Sequence, residues 1–172
     1  MSATATTRTG DHLLAVYLRD HFAGAAAGLA LAERCQRAND DDPLGPVLAE
    51  ITAEITADRD SLHDIMVALD VSEDPLKAVL GRAAEVVGRL KSNGVFTRYS
   101  PSSRVLELEG LLAGIDAKRN LWHTLRVAAA TRPVIDVAAL DQLIERATSQ
   151  RDRLQAEHER ATRNAFSPVG GA

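Results

Sequence analysis

A heptad run of apolar residues, Leu48, Ile51, Ile55, Leu62, Ile65 and Leu69, carries an aspartate, Asp58, at its central position. Seven-residue spacing places all seven side chains on one stripe of a helix, and a stripe of this kind must pack against other helices. A carboxylate in the middle of that stripe requires a charged or hydrogen-bonding partner, because an isolated buried charge is strongly unfavourable. The partner must come from another helix. Two later segments offer cations at comparable mid-helix positions: Lys118 or Arg119 in one, and Arg151 in the other. The expectation is a buried polar layer of Asp58, Lys118, Arg119 and Arg151 crossing the middle of an all-α bundle.

The helix boundaries follow from local signals. Asp42-Pro43 and Asp74-Pro75 pair an acidic N-cap with a proline at the first helical position, where its missing N–H costs nothing. Ser100-Pro101 repeats the signal, and Asp136 caps a further helix. Ser92-Asn93-Gly94 supplies a left-handed stop. Helices are therefore predicted at about residues 11–38, 43–69, 75–91, 101–130 and 137–166. The first has Leu14, Leu18, Phe22, Ala25, Leu29 and Ala32 as its inner stripe. The small, polar residues 1–10 and the Ser-Pro-Val-Gly-Gly-Ala end at 167–172 are expected to be flexible tails around one domain spanning 11–166.

Connection lengths give the topology. The first two long helices, and the last two, are separated by short turns and should form antiparallel pairs. More than thirty residues containing the short helix lie between the pairs, enough chain to return along the whole bundle. A single long crossover of this kind is the ferritin-like order. Gly24 and Gly28 in the first helix, and Gly110 and Gly114 in the fourth, each fall on one helical face and predict that these two helices approach closely.

Ferritin-like metal sites need a Glu from each of two helices and a Glu-x-x-His pair from each of the others. Asp60 and His63 are three apart but lie off the stripe, and Glu157 and His158 are adjacent rather than three apart. Glu33, Glu54, Glu109 and Asp116 are scattered. No metal or other cofactor is therefore expected, and the central layer reads as an ion-pair network. Two registers remain open for the last helix, one turning Arg151 and His158 inward and the other Gln150 and Glu157. His21 and His123 read as boundary histidines, and Cys35 as an unreactive thiol. No nucleophile elbow, phosphate-binding loop or dinucleotide fingerprint occurs.

Charge is unevenly distributed. The whole chain of 172 residues carries a net charge of -4, which argues against a general nucleic-acid coat, and its aromatic content of 3% leaves few platforms on which bases or sugars could stack. Residues 75–104 nonetheless contain Lys77, Arg82, Arg89, Lys91, Arg98 and Arg104 against Glu85 alone. Arg89, Lys91, Arg98 and Arg104 are thus a candidate patch for an anion or an acidic partner, unless they pair with acids on the long helices. The single cysteine excludes an intrachain disulfide and fits a reducing cytoplasm. The apolar stretch 22–32 is too short to span a bilayer and is preceded by charged residues, so neither a membrane segment nor a cleavable signal is expected.

Three stretches, Leu-Arg-Asp-His-Phe-Ala-Gly at 18–24, Gly-Arg-Leu-Lys-Ser-Asn-Gly at 88–94 and Ser-Pro-Ser-Ser-Arg-Val-Leu-Glu-Leu-Glu at 100–109, resemble a family of uncharacterised all-helical proteins from actinobacteria. The resemblance covers all but the tails and implies a bundle similar to the ferritin-like fold, with no activity attached. The expected protein is a non-enzymatic, metal-free bundle that binds or scaffolds, as a homodimer through a long helical face. Its rivals are a di-metal iron or manganese oxidase or storage protein, and an adaptor for nucleic acid or another polyanion through the basic crossover.

Overall fold

A computed structural model describes residues 2–72 and 100–167. Four long helices account for nearly all of them: α1 (Ser2–Ala38), α2 (Gly45–Ala68), α3 (Pro101–Ala128) and α4 (Val137–Phe166). No strand occurs among the described residues. A short 3₁₀ turn, Ala129–Thr131, follows α3.

The caps explain most of the boundaries. Ser100, in extended backbone, accepts a hydrogen bond from Ser103 N at 3.2 Å and starts α3. Asp136 accepts from Ala138 N at 2.8 Å and Ala139 N at 3.3 Å and starts α4. The α2 start differs from expectation by two residues. Asp42 accepts from Leu44 N at 3.0 Å, but Pro43 lies in a turn and Pro46 takes the position suited to proline within the first helical turn. Gly45 is needed here, since a Cβ would lie 2.6 Å from the Asn39 carbonyl oxygen. Asn39 itself is buried and donates to the Cys35 carbonyl at 2.7 Å, closing the end of α1. At its other end α1 begins at Ser2 rather than near Asp11, because no proline interrupts residues 2–10 and the helix runs on through the stretch expected to be a tail.

Helix α2 stops in a Schellman motif. Asp70 adopts φ 55°, Val71 N donates to Met66 O at 2.9 Å, and Asp70 N donates to Val67 O at 3.0 Å. Met66 and Val71 pack into the same apolar cluster, which is the contact that accompanies the motif.

Cross-helix pairs define the topology. Gly10 and Asp11 of α1 lie near Arg132 just beyond α3, Tyr17 meets Thr124, and Arg34 meets Glu107, so α1 and α3 run antiparallel. Arg153 of α4 bridges Glu50 and Glu54 of α2 while Arg146 reaches Asp58, so α2 and α4 are antiparallel as well. Helices α1/α2 and α3/α4 are hairpins. Ser72, beyond the end of α2, accepts from Arg19 Nε, midway along α1, at 2.8 Å. Arg104, at the start of α3, pairs with Asp42 at 2.9 Å at the opposite end. The end of α2 and the start of α3 therefore lie toward opposite ends of a four-helix bundle. The expected short helix at 75–91 and its stop at Gly94 lie outside the described residues.

The interior is in two pieces. One cluster is built on Leu48, Ile51, Ile55, Leu108, Leu111 and Leu154, and the other on Leu18, Leu62, Met66, Trp122, Leu125 and Leu140. On α2 the break falls between Ile55 and Leu62, on α3 between Ile115 and Leu121, and on α4 between Ala147 and Leu154. Asp58, Lys118 and Gln150 occupy these three gaps. The α2 stripe also drifts: Met66 is fully buried while Ile65 and Leu69 are only partly so. A straight helix of 3.6 residues per turn rotates away from a strict seven-residue repeat, and the next residue round takes over.

Candidate functional site

Asp58 is 1% exposed and its carboxylate is fully engaged. Lys118 Nζ donates to Oδ2, Gln150 Nε2 donates to Oδ2 at 3.0 Å, and Arg146 Nε donates to Oδ1 at 2.7 Å. Lys118 also donates to Gln150 Oε1 at 2.6 Å, so the amide is used at both ends. Three helices thus converge on one carboxylate. Burial lowers the pKa of Lys118 below its ordinary value, and the Asp58 carboxylate opposes that shift. The ammonium is held in place by its counter-charge.

The layer differs in membership from the sequence expectation. Arg119 lies on the neighbouring face of α3 and pairs with Asp116 at 3.4 Å. Arg151 pairs with the same Asp116 at 3.2 Å, near the surface. The α4 register turns Gln150 and Glu157 inward, with His158 half-buried beside Glu109 at 3.3 Å. The physical reason is charge balance. Lys118 and Arg146 already face one carboxylate, and a third cation in the interior would have no counter-charge. Arg146 was missed because it flanks the apolar stripe of α4 rather than lying on it. It is one turn before Gln150, and that i, i+4 relation to an inward polar residue is the signal that could have found it.

The remaining acids and histidines are dispersed. Asp60, His63 and His123 face outward, Glu33 sits near Arg37 at 3.9 Å, and Glu54 is taken by Arg153. Among the described residues no group of three or more His, Cys, Asp or Glu side chains could hold a metal ion. Cys35 is buried and donates to Glu107 Oε2 at 3.5 Å, while Arg34 pairs with Glu107 at 3.0 Å. Burial first, and the Glu107 carboxylate next, push the Cys35 thiol far above its usual range. It is not a nucleophile. Of the basic patch, Arg104 is paired with Asp42, and Arg89, Lys91 and Arg98 lie outside the described residues.

Directly above the polar layer, α1 and α3 part to leave a cleft of about 350 Å³. All four glycines expected to bring these helices together line it. A Cβ added at Gly24, Gly28 or Gly114 would meet nothing within 4 Å, and one at Gly110 would meet only Leu31 Cδ2, at 3.1 Å. The close approach expected from the glycines is therefore absent. The helices touch where Tyr17 meets Thr124 and where Leu31 meets Gly110. The small residues then form an open gap whose wall is largely apolar and whose inner end reaches Asp58, Lys118 and Trp122.

The chain matches no family model, no curated protein and no solved structure. No described helix is long and apolar enough to cross a membrane. The site's own chemistry is then the basis for a functional reading. The Asp58 carboxylate is hydrogen-bonded on both oxygens and faced by two cations of the protein itself. The cleft beside it has the shape and lining of a small-ligand site.

Proposed function

We propose that this protein is a metal-free, ferritin-like bundle that acts by binding rather than by catalysis. The observation that carries the reading is the occupation of the central layer. At mid-bundle, where a ferritin-like di-metal protein would present carboxylates and imidazoles, Asp58 stands against two fixed cations and an amide. Positive charge in that position repels a divalent cation and already satisfies the one carboxylate present. The order of two antiparallel hairpins, with the end of α2 and the start of α3 toward opposite ends of the bundle, supports the ferritin-like description, since that is the arrangement with a single long crossover. The resemblance to the actinobacterial family points the same way.

A cytoplasmic homodimer, formed through a long helical face, is the setting this reading favours. The lone, buried Cys35 fits a reducing compartment. The test is elemental analysis of protein purified without chelator, before and after incubation with ferrous and manganous salts. Less than a tenth of an equivalent of either metal is expected. Near-stoichiometric iron or manganese would overturn the reading and make the protein a metalloenzyme candidate.

A further inference from the structure

The cleft wall carries more hydrogen-bond donors than acceptors can answer. Trp122 is fully buried, lines the cleft, and its indole Nε1–H has no acceptor. Arg59 also lines it, stacked 4.6 Å from the Phe22 ring centroid, with its Nε–H buried and unanswered. Lys118 spends two of its ammonium protons on Asp58 and Gln150, leaving a third. Buried donors in proteins are nearly always satisfied, so two unanswered ones lining a single gap give an acceptor bound there something to pair with. Apart from His21 and the acids, the rest of the wall is apolar or bare backbone: Ile55 and Leu62 from α2, Leu111, Ile115 and Leu121 from α3, and the glycine faces. Of the two acids lining the cleft, Asp58 is saturated and Asp20 is exposed, with an interaction of its own.

We infer that the α1/α3 cleft binds a small apolar monocarboxylate, with its hydrocarbon body between the glycine faces and its carboxylate toward Lys118, Arg59 and Trp122. The inference rests on the binding reading above and names the ligand class for it. An anion is favoured over a neutral acceptor because the unanswered groups on the wall are all donors, and two of them, on Lys118 and Arg59, belong to cationic side chains. An apolar body is required because His21 is the one polar side chain besides Asp20 along the α1 side of the cleft, too few to replace the water lost by a sugar or a nucleotide. The volume of about 350 Å³ admits a single small molecule and lies at the low end of ligand sites.

Trp122 is the only tryptophan in the chain, so its emission reports on this cleft alone. The full-length protein is titrated with decanoate below its micellar concentration, with decanol and decylamine as matched controls. Decanoate should give a saturable change in emission, decanol should bind at least tenfold more weakly, and decylamine should give no saturable change. Lys118→Met should weaken decanoate at least tenfold. Gly28→Leu and Gly114→Leu, whose side chains grow into open space, should keep the native circular dichroism spectrum and abolish the response. Absence of a saturable decanoate signal overturns the inference. So does equal affinity for all three probes, or unchanged binding in either folded glycine variant. Each of these failures would leave the metal-free reading standing, because that reading falls only on retained metal.

Discussion

Replacing Asp58 with alanine is the most informative single perturbation of this bundle. The carboxylate is 1% exposed and accepts from Lys118, from Arg146 Nε at 2.7 Å and from Gln150 Nε2 at 3.0 Å. Its removal leaves three donors without their shared acceptor. Breaking a buried ion pair from one side costs about 3–5 kcal/mol. Arg146 is about a third exposed and can turn to water, so little of that cost falls on it. Lys118 is only 15% exposed and must stay charged without a counter-ion or lose its proton. The expected destabilisation is thus at the low end, about 3 kcal/mol. In a domain of this size that corresponds to a fall in Tm of roughly 6–12 °C. Urea and thermal unfolding followed by circular dichroism at neutral pH would measure it. The double replacement Asp58→Leu with Lys118→Met removes both charges and should recover most of the loss, since apolar substitutes for a buried pair are often neutral. A loss below about 1 kcal/mol for Asp58→Ala would refute the argument, because a buried carboxylate with three partners cannot be removed so cheaply.

Other expectations follow from separate places in the structure. Gly45→Ala should destabilise by about 1–3 kcal/mol in urea unfolding, as its Cβ would stand 2.6 Å from the Asn39 carbonyl oxygen and the α1–α2 turn must shift. Asp70→Gly should raise stability by about 0.5–1 kcal/mol in the same assay, because Asp70 holds a φ of 55° that glycine adopts freely. Burial lowers the pKa of His21 from its ordinary 6.5, so between the lowered value and 6.5 the unfolded chain binds more protons than the folded one. Stability should rise with pH across that window and be complete above it, and His21→Gln should flatten the rise in a pH series of unfolding curves. Cys35, buried and with its thiol pushed upward, should not react with an aromatic disulfide reagent at pH 8 until the protein is unfolded.

The helical frame was legible because its signals are local. Asp136 and Ser100 cap where a hydroxyl or carboxylate before an apolar period should, and the stripe through Leu48, Ile51, Ile55 and Leu62 is buried as its spacing implies. The Asp42 start moved by two residues because two prolines compete there and Gly45 closes the turn. The composition of the central layer was only half legible. Asp58 and Lys118 lie on apolar stripes and betray themselves by breaking them, whereas Arg146 enters from the side on a long, flexible stem. Arg119 and Arg151 share the residue type and the level of the layer but face Asp116 instead. The cleft was not legible at all. Paired glycines at i and i+4 permit either a tight crossing or a gap, and the choice is made by the packing of the whole bundle around them. That is a tertiary property.

The claim that Asp58 is held by the protein's own cations is tested most directly by a double-mutant cycle in urea unfolding, pairing Asp58→Asn with Lys118→Met and, separately, with Arg151→Met. The account predicts a coupling of about 1–3 kcal/mol for the first pair and additivity within about 0.5 kcal/mol for the second. Additivity in the Asp58–Lys118 cycle would show that the carboxylate does not depend on the lysine, and the reading of the polar layer would be contradicted.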